Sequence, residues 1–152
     1  MQPSLCPTIE KTVDIAAPPS VVWSFLTDPD KLSRWLAEPE VGLEVTTTWQ
    51  VGSPIRSRGV HHEPFENRGT VLCVEPPTRL RYSHLSSLSQ LPDVPQSYAI
   101  FEYLALPCDD AGTSTRLSLT IRGCPDEVIY KHLDFYFGTT LQLLKKRVEQ
   151  SH

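Results

Sequence analysis

The chain has 152 residues, 39% of them hydrophobic and 21% charged, which is a globular composition with material for one core. The 14 Lys and Arg against 18 Asp and Glu leave a net charge of −4, and with no basic block the chain is a poor partner for nucleic-acid phosphates. No apolar run approaches the ~20 residues of a membrane span, and the start, MQPSLCPTIEK, lacks the pattern of a signal peptide.

The elements follow in chain order. TIEKTVDIA (8–16) alternates, with Ile9, Val13 and Ile15 on one face and Lys11 as the exception, which predicts a strand. Pro18 and Pro19 then open a helix whose apolar stripe is Val22, Phe25 and Leu26. Asp28-Pro29 ends that helix and starts a second short one, with aspartate as N-cap, proline at the first helical position, and Leu32, Trp35 and Leu36 on the apolar side.

Strands and turns fill the middle: 43–49, then 55–62 after Gly52-Ser53-Pro54, then 69–75, then 79–85 after Pro76-Pro77-Thr78. Residues 86–95 have no period and read as a loop, and 96–106 and 115–122 are the last two strands, joined around Asp109–Gly112. The longest helix closes the chain. Pro125 fits its first position, Asp126 and Glu127 its first turn, and Lys145, Lys146 and Arg147 its last. Ile129, Leu133, Phe137, Leu141, Leu144 and Val148 form its stripe. Glycine in mid-helix costs up to ~1 kcal/mol relative to alanine, so Gly138 is expected to allow close approach of sheet backbone or of a ligand.

One strand, two short helices, about six antiparallel strands and a long C-terminal helix make an α+β helix-grip arrangement: a curved antiparallel sheet of about six to seven strands wrapped around the helix, each burying one face on the other. The run APPSVVWSFLTDPDKLSRWL resembles the opening of the SRPBCC superfamily of START and birch-pollen-allergen-like proteins. More narrowly, it is similar to the family related to the C-terminal domain of the activator of heat-shock protein 90 ATPase. WQVGSPIRSRG, GTVLCVEPPTRLRYSH and FGTTLQLLKK resemble that family's strand-turn-strand, hairpin and final helix, in order, with Phe137 where tryptophan is usual. The resemblance spans residues 8–149, and the whole chain, 1–152, is expected to be one such domain. It implies binding of apolar or aromatic small molecules between sheet and helix, with some members cyclases, dehydratases or hydrolases. The eukaryotic co-chaperone has an additional N-terminal domain that this sequence does not show, so co-chaperone activity is the third expectation.

A cavity between helix and sheet would take His132, Tyr136 and Phe137 from the helix and Tyr82 and His84 from the sheet, with Trp35 and Leu36 at the rim and Trp49 in the wall. Aromatic walls favour a flat, partly aromatic ligand. Arg58 or Arg56 could hold an acidic group, and His84 and His132 could move protons. An outward-facing Glu102 is the base-rate expectation. The pair His61 and His62 would point to opposite faces of a strand, one inward and one into solvent, which argues against a metal site. The cysteines at 6, 73, 108 and 124 form no CxxC pair and read as thiols in a reducing cytoplasm. No nucleotide motif is present, so no cofactor is expected. The expected partner is a small hydrophobic or aromatic ligand, polyketide, flavonoid or lipid-like. No nucleic acid or membrane partner is expected, and the expected state is a cytoplasmic monomer or weak homodimer. Conversion of a polyketide-like molecule and activation of a chaperone ATPase are the alternatives.

Overall fold

The structure, a computed structural model, describes residues 6–151. The strands are β1 (Ile9–Ile15), β2 (Glu44–Thr47), β3 (Pro54–His61), β4 (Glu63–Glu75), β5 (Arg79–Ser86), β6 (Ala99–Pro107) and β7 (Thr115–Arg122). They form one antiparallel sheet in the order β1-β7-β6-β5-β4-β3-β2, so the first strand closes against the last. Two short helices, α1 (Pro19–Thr27) and α2 (Pro29–Leu32), follow β1, and α3 (Glu127–Ser151) ends the described chain.

Register decides which side chains share the inner face. Leu80 pairs with Tyr103, Tyr82 with Phe101 and His84 with Ala99, and on the far side of β6 Phe101 pairs with Ile121 and Tyr103 with Leu119. Of these, Leu80, Ala99, Phe101, Tyr103, Leu119 and Ile121 join Val22, Phe25, Leu26 and Trp35 from the chain after β1 and Leu133, Phe137, Leu141 and Leu144 from α3 in one buried core, with Tyr82 packed against it. Lys11, the odd residue of β1, is also on the inner face. It reaches past the core to Asp134 on α3, 2.8 Å away, burying its stem and keeping its charge paired. Farther along, Lys145 donates to the Asp14 carbonyl and Glu149 accepts from the Ala16 amide, tying α3 to the end of β1.

The indole N–H groups of two tryptophans cap α1. Trp35 donates to the Phe25 carbonyl at 2.9 Å and Trp49 to the Thr27 carbonyl at 2.6 Å, two of the carbonyls a helix end leaves without an intrahelical partner. Asp28 both ends α1 and caps α2, as the sequence predicts, its carboxylate accepting from the Asp30 amide.

Several boundaries differ from expectation. The helix after Asp28 closes at Leu32, although one further turn carries Trp35 and Leu36 through a Leu36 N–H bond to the Leu32 carbonyl. β4 begins at Glu63, not Gly69, because the chain reverses tightly at His62, which is left-handed at φ 66°. His61 and His62 are therefore both exposed at a hairpin tip with ring centroids 4.7 Å apart, and do not diverge to opposite faces. A single 3-10 turn at Pro95–Ser97 delays β6 to Ala99. Pro125 lies outside α3, whose first turn is capped by Asp126 accepting from the Ile129 amide at 2.8 Å. The helix runs on to Ser151, so Lys145, Lys146 and Arg147 are not in its last turn. At Gly138 no backbone approaches: a methyl group there would meet only the Lys11 ammonium at 3.7 Å.

Candidate functional site

The inner face is covered unevenly. On β7 and β6 its residues are sealed: Leu117, Leu119 and Ile121 have no accessible surface and Phe101 and Tyr103 keep 2%. From β5 outward the cover is mixed: Leu80 and Val71 have no accessible surface and Ile55 keeps 9%. Tyr82 and His84 on β5, Asn67 and Phe65 on β4, Ser57 and Gly59 on β3 and Val45 on β2 share that face by register and all remain partly accessible. α3 is tied to β1 and so covers the β1–β7–β6 side of the concave face most completely.

A chain of aromatic rings runs out from the sealed side. Trp35 meets Tyr103 edge-on at 6.5 Å, Tyr103 lies 6.2 Å from Tyr82, and Tyr82 lies 5.7 Å from Phe101 and 6.4 Å from Trp49. His84 stacks on Phe101 at 4.7 Å, Phe101 meets Phe137 edge-on at 5.4 Å, and Phe137 leads on to Tyr136 and His132. Offset and edge-to-face pairs of this kind are the favourable ring geometries. Trp49 holds its place in a left-handed backbone conformation, φ 57°, that a bulky residue adopts only when its surroundings fix it. Its indole N–H donating to the Thr27 carbonyl and its amide N–H donating to the Thr47 hydroxyl oxygen do so.

Burial favours the neutral forms of His84 and of the tyrosines in this cluster. Burial pulls the His84 imidazole down to about 4, and the charge of nearby His132 adds to the effect. Burial also pushes the Tyr82 phenol up to about 12 and Tyr103 well above the usual range. The Tyr136 hydroxyl donates to the Leu36 carbonyl, joining α3 to the rim, and burial and the neighbouring Glu38 carboxylate raise its pKa. The Tyr103 hydroxyl is buried and turned to the Tyr82 hydroxyl, its polar neighbour.

Of the residues nominated from sequence, Trp35, Leu36, Trp49, Tyr82, His84, Tyr136 and Phe137 are brought into this one constellation. His132 is exposed at its edge, with its ring 5.8 Å from Tyr136. Arg58 is not brought there. It pairs across the sheet with Glu44 and Glu66 on the outer face and holds the Glu66 carboxylate at 2.7 Å. Arg56 shares that outer face. Glu102 also faces outward, among Arg81 at 2.9 Å and Arg79 and Arg122 at 3.6 Å. Sequence reasoning missed Tyr103 and Phe101 as site residues, although the alternation of Ala99, Phe101, Tyr103 and Ala105 was a signal for them. It missed Asn67 and Phe65 because the stretch 63–68 gave no strand period. Among the described residues no group of three or more His, Cys, Asp or Glu is placed to hold a metal ion, and no helix is long and apolar enough to cross a membrane.

The profile of the family described as "Activator of Hsp90 ATPase homolog 1-like protein" matches residues 16–149. Among solved structures, a protein from Cytophaga hutchinsonii is 26% identical with a TM-score of 0.78, the match covering 99% of this chain and 98% of that one. A protein from Chromobacterium violaceum is 22% identical with a TM-score of 0.76, over 93% and 96% of the two chains. The Aha1 dimer from Colwellia psychrerythraea is 17% identical with a TM-score of 0.73, over 94% and 96%. No curated protein gives a significant sequence match.

Proposed function

The chain belongs to the activator of Hsp90 ATPase homolog 1-like family, and from that premise we propose that it binds a small hydrophobic or aromatic molecule in the cleft between α3 and the β2–β5 half of the sheet. One observation carries this reading: Tyr82 and His84 are in the middle of the concave face yet remain reachable, while the rings around them form a continuous aromatic wall. Apolar walls with a few converging polar groups are the usual form of a ligand site. The ligand class is polyketide, flavonoid or lipid-like, and the protein acts as a cytoplasmic monomer or weak homodimer.

The wall reports on its own occupancy, because Trp49 lies against Tyr82. Titration with flavonoid-like aromatics, fatty acids and polyketide fragments, followed by tryptophan fluorescence, is expected to give saturable binding, with the compound recovered unchanged. Absence of saturation across the panel would overturn the reading and favour a protein-interaction role. A second reading, conversion of the ligand by cyclase, dehydratase or hydrolase chemistry, is less favoured, because burial pulls the His84 imidazole down to about 4 and leaves it a weak proton acceptor at neutral pH. A new product in the same mixtures would favour it.

A further inference from the structure

We infer that Cys6 and Cys124 are a disulfide-forming pair, and that hydrogen peroxide closes a reversible covalent clasp between the chain just before β1 and the junction of β7 with α3. This inference stands apart from the ligand reading and rests on other residues.

Strand register brings together two cysteines that lie far apart in sequence. β1 and β7 pair antiparallel from Ile15↔Thr115 to Ile9↔Ile121 without a shift. From that last pair two arms of equal length run on, one back to Cys6 and one forward to Cys124, so the same count sets the cysteines opposite each other. Directly opposed residues of antiparallel strands have Cα atoms about 4.5–5.5 Å apart, within the ~4.4–6.8 Å that a disulfide spans. Gly123, left-handed at φ 71°, ends the ladder, and Cys124 after it has no accessible surface and belongs to the buried core. Cys6 packs against the same core but keeps part of its surface. Burial pushes the Cys124 thiol up to about 11, and the charge that nearby Cys6 carries when ionised adds to the rise.

The other two cysteines are out of reach of this pair. Cys108 lies beyond the opposite end of β7, about 25 Å away at ~3.4 Å per residue. Cys73 is on β4, three strands from β7 at ~4.8 Å each, and pairs with Arg81 on the outer face. The chemistry follows from accessibility. Hydrogen peroxide transfers one oxygen to the partly accessible Cys6 sulfur, giving a sulfenic acid and one water. The Cys124 sulfur then attacks the Cys6 sulfur, the sulfur–oxygen bond breaks, and the hydroxyl leaves with the Cys124 proton as a second water. Two thiols lose two electrons and one peroxide gains them. A dithiol reductant reopens the bond by thiol–disulfide exchange. Because Cys124 is held in its thiol form at neutral pH, closure is slow and follows sustained exposure to oxidant.

The test treats the reduced full chain with hydrogen peroxide at pH 7 under native conditions, then alkylates, digests with trypsin and maps the peptides by mass spectrometry. The expected product is peptide 1–11 joined to peptide 123–131, with Cys73 and Cys108 outside the bond. The closed loop takes in most of the chain, so the melting temperature is expected to rise by about 5–15 °C and to return to its starting value with dithiothreitol. Cys6→Ser, which changes a residue at the margin of the core, is expected to remove both the joined peptide and the rise. The double variant Cys73→Ser, Cys108→Ser is expected to keep both, as a check that does not disturb the pair. Cys6 joined to Cys73, to Cys108 or to a second chain would overturn the inference. So would Cys6 oxidised on to sulfinic acid while Cys124 stays a thiol, or a joined peptide that forms only in urea.

Discussion

His84 is the residue with the clearest solution signature. Its imidazole titrates near 4 in the folded chain against an ordinary 6.5, because burial penalises the charged form. The groups facing it are the Phe101 ring, Tyr82, which stays neutral below about 12, and His132 on α3, whose positive charge adds to the depression. Between pH 6.5 and about 4 the unfolded chain therefore binds more protons than the folded one. The stabilisation is fully present above pH 6.5 and is lost as pH falls through that window, by up to about 3 kcal/mol. Urea midpoints are expected to fall across the window in the wild type and to fall less in His84→Phe; identical slopes would contradict the assignment. Two glycines give opposite signs for one substitution. At Gly69 a methyl carbon would lie 1.7 Å from the Ser83 carbonyl oxygen, a backbone atom that cannot yield, so Gly69→Ala is expected to cost more than about 2 kcal/mol in chemical denaturation. Exposed Gly138 has only the flexible Lys11 terminus nearby, so Gly138→Ala is expected to raise stability by up to about 1 kcal/mol.

Among the elements, α1 and α3 show how caps position the site. Removing the indole N–H in Trp49→Phe leaves the Thr27 carbonyl without its donor and the strained backbone at residue 49 without its anchor. The expected cost is about 1–2 kcal/mol by thermal or urea unfolding, together with weaker ligand binding, since the same ring forms the wall beside Tyr82. At the start of α3, Asp126→Ala removes the acceptor for the Ile129 amide and is expected to cost about 1 kcal/mol. Much of this level was legible in the sequence. The alternation of Leu117, Leu119 and Ile121, the three- and four-residue stripe of α3 and the Asp28-Pro29 break each carry a strong local period or a stereochemical signal. Residues 63–68 were not legible as strand, because their inner positions are Glu63, Phe65 and Asn67 and the outer ones Pro64, Glu66 and Arg68, which leaves no apolar alternation to read. Arg58 was misplaced for a related reason. The inner positions beside it, Ser57 and Gly59, are small and polar or bare, so nothing in β3 beyond Ile55 fixed which face turned inward. Tyr103 was visible as an alternating aromatic, but the burial of its hydroxyl beside that of Tyr82 depends on three-dimensional neighbours and left no mark in the sequence.

Across the whole molecule, the asymmetry of the grip is what the proposed site rests on. Lys11–Asp134, Lys145 with the Asp14 carbonyl, and Glu149 with the Ala16 amide fasten α3 along β1, and the inner residues of β7 and β6 are the most completely sealed, while Tyr82 and His84 on β5 stay partly accessible. Charge follows the same division: arginines and their acidic partners occupy the outer face, and the cleft is left neutral and aromatic. Edges remain at β1 and β2, where a second copy could add a strand. The measurement that bears most directly on this picture is an NMR titration of the isotope-labelled protein with naphthyl methyl ketone. We expect the shift changes to concentrate on Trp49, Tyr82, His84, Tyr136 and Phe137 and to spare the sealed residues Leu117 and Leu119 and the outer-face Arg58 and Glu102. Shifts spread over the outer face, or confined to the sheet edges, would contradict a ligand cleft beneath α3.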